Sequence, residues 1–261
     1  MENFPEVIKN NVPILEFDPN SKAVLNPEDR VKPIEIPEHC VLCFFSDEIN
    51  KLNQKGLLKQ IKKIKSEMGT HIVYTIEIKG ERLMLFHPGV GAPLAAVLFE
   101  ELIALGCRKF IACGGSGVLD KSIDLGQLIV PTSAIRDEGT SYHYIKPSRE
   151  VLPSRKAVQA IENTLSQEGF DYLLAKTWTT DGLYRETEGK VRLRKLEGCL
   201  TVEMEAAALF AVAQFRNVEI GQILYAGDNL GGDHWQGRHW IHQSDLRNKL
   251  IWLAAEACLK L

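Results

Sequence analysis

Four stretches of this 261-residue chain carry residue types that could do chemistry: HPGVGAP at 87–93, CGGSG at 113–117, TTDGLYRET at 179–187 and AGDNLGG at 226–232. Glycine repeats after apolar runs are either tight turns or cradles that turn backbone N–H groups toward an anion. Neither repeat completes a nucleotide motif. Leu94 stands where a third glycine would extend Gly89-x-Gly91, and no Gly-Lys-Ser/Thr follows residues 114–117. Metal chemistry finds no better footing. His234, His239 and His242 match no H-E-x-x-H spacing and read as a loop entering a helix. Cys40 and Cys43 form a C-x-x-C inside the apolar run CVLCFF, with no second pair to complete a zinc site. Together with Cys107, Cys113, Cys199 and Cys258 they read as free, buried thiols, and no metal site is expected.

These segments need elements to position them. Six of the 11 prolines fall within residues 1–38, which reads as a surface arm, leaving 39–261 as one domain. Apolar runs at 40–45, in the pair 71–90 turning at Lys79-Gly80, at 109–112, and in QLIVPTSAI, LAKTWTTD and IGQILYAGD predict strands. Periodicity predicts helices over 56–68, with Leu57, Leu58, Ile61 and Ile64 on one face, and over 94–105, closed by Gly106. Further helices are predicted over 154–168, 190–196, 203–215 and 244–261. No internal repeat stands out. Alternating strands and helices imply a single α/β domain whose central twisted sheet is mixed, mostly parallel, and flanked by helices. In such a sheet a ligand sits beyond the carboxyl ends of the strands, where all four segments lie, so together they can surround one cleft.

The 31 Lys+Arg and 34 Asp+Glu residues give a formal charge of -3, without the basic excess that nucleic acid or an anionic membrane attracts. The longest apolar stretches, such as 250–258, fall short of the roughly 20 residues that span a bilayer. The N-terminal residues include acidic ones and lack the apolar core of a signal peptide, so a cytoplasmic location is expected.

Read in order, the run from His87 through AIRDEGTSYHY, then TTDGLYRET, then VEMEAAALF at 202–210, then YAGD, resembles the nucleoside phosphorylase family. That family contains uridine phosphorylases, hexameric purine nucleoside phosphorylases and methylthioadenosine nucleosidases. The resemblance covers Val41 to the C-terminus, and its most specific element is Glu203-Met204-Glu205. It implies cleavage of a ribosyl–base bond, in which the sugar gains oxocarbenium character while the base leaves with the electron pair.

On this resemblance Glu205 accepts hydrogen bonds from ribose hydroxyls, Met204 packs on the sugar, and Glu203 sits nearby. Read without it, the two glutamates would simply favour a helix N-terminus. Asp228 matches the aspartate that purine-cleaving members use as the general acid toward the ring nitrogen, a task for which a carboxyl needs a raised pKa. Leu183 and Tyr184 align with the base-stacking position, and His143 with a pocket or subunit contact.

Three departures bear on the nucleophile. Family phosphorylases hold phosphate with an arginine after the first strand, an arginine ending a central strand, and a nearby hydroxyl. Here the first position falls in Phe45-Ser46-Asp47-Glu48, the second is Ala112, and the third is Gly115, with Ser116 one residue on. A buried phosphate without cations is costly. Arg185, or else Arg136, is the expected replacement, assisted by backbone amides of residues 89–91, Gly91 included, and by Ser116. The glutamine and arginine that read uracil are replaced by Glu186-Thr187-Glu188-Gly189, which with Asp228 favours a purine.

Three readings stay open: phosphorolysis of a purine nucleoside with inorganic phosphate as co-substrate and no cofactor; hydrolysis with Glu48 as the base for water; and a nucleoside-binding module without catalysis. Retention of both Glu205 and Asp228 favours an enzyme. The resemblance also implies a homo-oligomer, from dimer to hexamer.

Overall fold

Short apolar strands joined by tight turns build the first half of the protein. In the computed structural model, which describes residues 7–232 and 234–261, the proline-rich arm carries a 3₁₀ turn at Pro13–Leu15 and a short helix, α1 (Pro27–Arg30). Residues 1–6 of that arm lie outside the described residues. The arm is tied down by Arg30, whose Nε donates to Glu101, and by Val31, which joins the core. Next come β1 (His39–Cys43), α2 (Ser46–Gln54), β2 (Leu58–Ser66), β3 (Gly69–Ile78) and β4 (Glu81–Phe86). The β3–β4 turn at Lys79 and Gly80 has φ of 53° and 84°, the double positive φ of a tight hairpin.

Residues 56–68 correct a sequence expectation. They form strand β2 rather than a helix, and the cause is visible in the pairing with β3: Gln60 faces Tyr74 while Lys62 faces Val73, so Ile61 is an inserted bulge residue. The extra residue swaps the faces of the strand, so Leu58 packs on one apolar cluster and Ile61 and Ile64 on the other, and the resulting spacing at 58, 61 and 64 imitates a helix.

The chain continues through α3 (Ala92–Leu105), β5 (Lys109–Val118), β6 (Leu128–Asp137), β7 (Glu150–Val151), α4 (Arg155–Gln167) and β8 (Tyr172–Thr180). It ends with α5 (Glu188–Leu196), β9 (Cys199–Glu203), α6 (Ala206–Arg216), β10 (Glu219–Asn229) and α7 (Ser244–Leu259). Strand β5 does not break at Ala112. It runs through the CGGSG segment, which is therefore ladder rather than loop. The helix expected from 203 starts at Ala206, because residues 199–203 form strand β9.

Among the described residues ten strands make one mixed sheet in the order β10-β6-β8-β9-β5-β1-β4-β3-β2, with β7 on β6. Strand β10 also pairs with β5, in parallel, so β5, β10, β6, β8 and β9 close into a ring. Helices α3 and α6 cover one face and α4 and α7 the other, each over its own apolar cluster. All six cysteines are buried and unpaired. Among the described residues no helix is long and apolar enough to cross a membrane.

Ring closure requires small residues where strands converge. A Cβ on Gly117 would lie 2.5 Å from Leu230 Cδ1 and 3.0 Å from Val202 Cγ1. Gly117→Ala is therefore expected to destabilise the fold by ~1–3 kcal/mol, as overpacking does. A thermal melt checks this; an unchanged Tm would contradict the close approach of β9 and β10.

Candidate functional site

A cavity of about 280 Å³ opens at the carboxyl ends of β5, β9 and β10. It gathers Gly115, Ser116, Leu183, Glu203, Met204, Glu205 and Asp228, seven residues singled out from the sequence. The arrangement is local in origin for some and tertiary for others.

Glu203, Met204 and Glu205 form the corner between β9 and α6. Glu203 is buried with its oxygens occupied. Oε1 accepts from Thr179 Oγ1 at 2.6 Å and Thr177 Oγ1 at 3.3 Å, while Oε2 accepts from the N–H groups of Glu205 and Ala206 at 2.7 and 2.6 Å. Thr179 in turn accepts from Ala207 N–H. Glu203 thus satisfies the free N–H groups that open α6, and burial holds its carboxyl above the usual range against those hydrogen bonds. Its work is to fix the corner. Glu205 is 6 % exposed, and it accepts one bond, from Gly91 N–H at 2.6 Å. Burial first, then the like charge of Glu203, pushes its pKa up to about 8. Gly91, expected to offer its amide to an anion, instead steadies Glu205 from outside the cavity lining.

Asp228 sits in a β-bulge. Ala226 pairs with Ser116 and Asn229 with Val118, so Gly227 and Asp228 together face Gly117. Such a bulge re-aims a side chain, here into the cavity. Trp235 Nε1 donates to Asp228 Oδ2 at 2.6 Å, which holds the carboxyl in place and leaves Oδ1 toward the Gly117 side. Glu186 lies close enough to feel that carboxylate: burial, then the charge on Asp228, raises its pKa to about 7. Leu183 lines the cavity, whereas Tyr184 is 94 % exposed and does not.

The cationic residues expected at the nucleophile end are elsewhere. Arg185 is exposed and outside the lining. Arg136 is buried in its own loop, donating to Ser141, Ser148 and the carbonyls of Ile145 and Lys146. Glu48, the base proposed for water, is buried with Oε1 held by Lys51 Nζ and Ser244 Oγ, each at 2.7 Å, and does not line the cavity. His143 and Tyr144 face a second cavity, of about 320 Å³, beneath the arm. Sequence reasoning missed Arg247, Gln222 and Trp240, which all line the site. Arg247 enters from α7 and reaches Asp47, 200 positions earlier in the chain, so no local signal marks it.

Among the described residues no group of three or more His, Cys, Asp or Glu is arranged to hold a metal ion. What the cavity offers is two carboxyls, on Glu205 at the corner and Asp228 in the bulge, with the guanidinium of Arg247 and the amide of Gln222.

A family model described as the phosphorylase superfamily matches residues 38–255. A guanosine phosphorylase of Halorubrum lacusprofundi is 28% identical over 158 residues, which is 60% of this chain and 66% of that protein, just under two thirds of its length. Among solved structures, a uridine phosphorylase from Vibrio fischeri shares 24% identity with a TM-score of 0.71, covering 88% of this chain and 93% of that one. An AMP nucleosidase from Bacteroides thetaiotaomicron shares 22% identity with a TM-score of 0.67, covering 86% and 88%. Both structures share the fold.

Proposed function

Because the chain belongs to the phosphorylase superfamily, we propose that it cleaves the N-glycosidic bond of a purine nucleoside with inorganic phosphate, giving the free base and ribose 1-phosphate. The observation that carries this reading is the placement of Glu205 and Asp228 in one cavity beside a guanidinium. The C1′–N bond breaks with its electron pair leaving on the base, and a proton from Asp228 on a purine ring nitrogen neutralises that pair. Glu205 accepts from the ribose hydroxyls and its carboxylate offsets the positive charge growing on the sugar. Met204 packs under the ribose and Leu183 over the base. A phosphate oxygen forms the new bond to C1′ from the face opposite the base. A proton and a dianion are all the chemistry requires, so the reading needs no metal or organic cofactor.

Hydrolysis is the second reading, favoured by the alanine at position 112 where the family keeps an arginine. Against it, Glu48 is buried outside the cavity lining with its Oε1 held by Lys51 and Ser244, so it is not placed to activate water in the cavity. The guanosine phosphorylase relative and Asp228 both favour a purine over uracil.

The test is incubation with inosine, adenosine, guanosine, uridine and methylthioadenosine, with and without phosphate, followed by identification of the sugar. Ribose 1-phosphate formed only with phosphate, and from purines first, is the expected result. Free ribose at equal rates without phosphate overturns phosphorolysis, and binding without cleavage overturns enzymatic function.

A further inference from the structure

We infer that Arg247, together with Gln222 and Ser116, forms the subsite that binds the phosphate oxyanion, with Asp47 as the counter-ion that phosphate displaces; this rests on the phosphorolytic reading above. Arg247 stands one turn into α7 and is 5 % exposed, yet it lines the cavity. Its Nη1 and Nη2 donate to the two oxygens of Asp47 at 2.9 and 2.8 Å, and its guanidinium carbon lies 4.7 Å from the centroid of the Phe45 ring. Its Nε is buried and has no hydrogen-bond partner among the described residues. Gln222, 1 % exposed on β10, lines the same cavity, and its Oε1 is likewise buried with no partner among the described residues.

Two unpartnered polar groups in one cavity call for a physical reason, since each buried unmade hydrogen bond costs roughly 1–3 kcal/mol. The Arg247 Nε–H calls for an acceptor and the Gln222 amide oxygen for a donor, and hydrogen phosphate presents both, an anionic oxygen to the guanidinium and its P–OH to the amide oxygen. Ser116 Oγ adds a hydroxyl whose present bond, 3.3 Å to the Tyr225 carbonyl, is long. The position agrees with the chemistry. Gln222 is the strand partner of Ala112, and Asp47 lies in the segment after β1, the two places where the resemblance expects arginines. The charge lost from both has returned to the same wall from a distant helix.

Asp47 explains how the pocket tolerates this cation when no anion is bound. Its side chain is 47% exposed against 6% for Arg247, so it can turn into water as phosphate takes over the guanidinium fork. The bidentate geometry that fits a carboxylate also fits a phosphate.

The experiment measures KM for phosphate and for nucleoside separately, and titrates inorganic phosphate into the free protein by calorimetry. Arg247→Gln is expected to raise the phosphate KM about 30-fold or more while the nucleoside KM moves less than about threefold, as loss of a charge-assisted contact to one ligand only. Arg247→Lys should recover part of the loss, because it restores charge without the fork. Gln222→Leu should raise the phosphate KM in the same direction. Asp47→Asn should lower it severalfold, and a structural role alone would not move it that way. A phosphate KM within about twofold of wild type in Arg247→Gln overturns the proposal while leaving phosphorolysis intact. Should Arg247→Gln fail to fold, the double variant with Asp47→Asn removes both charges, and the same comparison applies to it. If the wild type releases free ribose regardless of phosphate, the phosphorolytic reading fails and the titration decides the subsite. Phosphate bound by wild type and not by Arg247→Gln supports it; binding by both or by neither overturns it.

Discussion

Replacing Asp228 with Asn is expected to slow purine nucleoside cleavage by roughly 10²–10⁴-fold, the usual contribution of a positioned general acid. The substitution preserves shape. An amide oxygen can still accept from Trp235 Nε1, so the bulge at Gly227 and Asp228 and the contact that orients the side chain persist. What is lost is a proton to give. The nucleoside KM should change little, because the amide can still hydrogen-bond to the base. A nucleoside whose base leaves without protonation, such as one already methylated on the imidazole ring, should be cleaved at near the wild-type rate. Measuring kcat on inosine and on 7-methylguanosine distinguishes the roles: full activity on inosine removes Asp228 from the chemistry, and equal loss on both substrates makes it a structural residue.

Glu205→Gln should show the opposite sign in activity and stability. Cleavage of ribosides is expected to fall roughly 10²–10³-fold, since a neutral amide stabilises the growing positive charge poorly. Stability should rise with pH relative to wild type. The Glu205 pKa of about 8 in the folded protein lies above its ordinary value, so between pH 4.5 and 8 the unfolded chain sheds a proton that the folded protein retains. Stability attached to this group is therefore fully present below pH 4.5 and lost as pH rises through about 8. By pH 9 the loss amounts to roughly 3–5 kcal/mol, part of which Gln recovers. We expect Glu205→Gln to melt about 5 °C above wild type at pH 9 and within a degree of it at pH 5. Equal melting temperatures at both values would mean that Glu205 is not held in the buried, proton-retaining state. The same carboxyl must ionise to serve the sugar, so kcat/KM for the wild type should climb with pH through about 8.

The glutamate corner is legible in the sequence for a local reason. Its residues are contiguous, and their spacing survives any arrangement of the rest of the chain. The hairpin at Lys79-Gly80 and the glycine that closes α3 were legible for the same reason, since a turn depends on the φ angles of two or three neighbours. Residues 56–68 misled because a bulge at Ile61 depends on the facing strand, and a single strand's pattern carries no record of its partner. The CGGSG segment read as a loop because glycines usually interrupt strands. Here they let β9 and β10 close on β5.

By itself the sequence determined the alternation of strands and helices, while the family resemblance it carries marked the glutamate corner and Asp228, each within a short contiguous motif. Only the tertiary structure decided how the site is charged. Arg185 and Arg136, the cations nearest in sequence to the expected loops, point away from the cavity or into their own loop. Arg247 arrives from the far end of the chain because α7 packs across β1 and β5 and sets its first turn against Asp47. A Coulombic contact between residues 200 positions apart leaves no periodicity to read; it exists only once the sheet closes and the helix lies down on it.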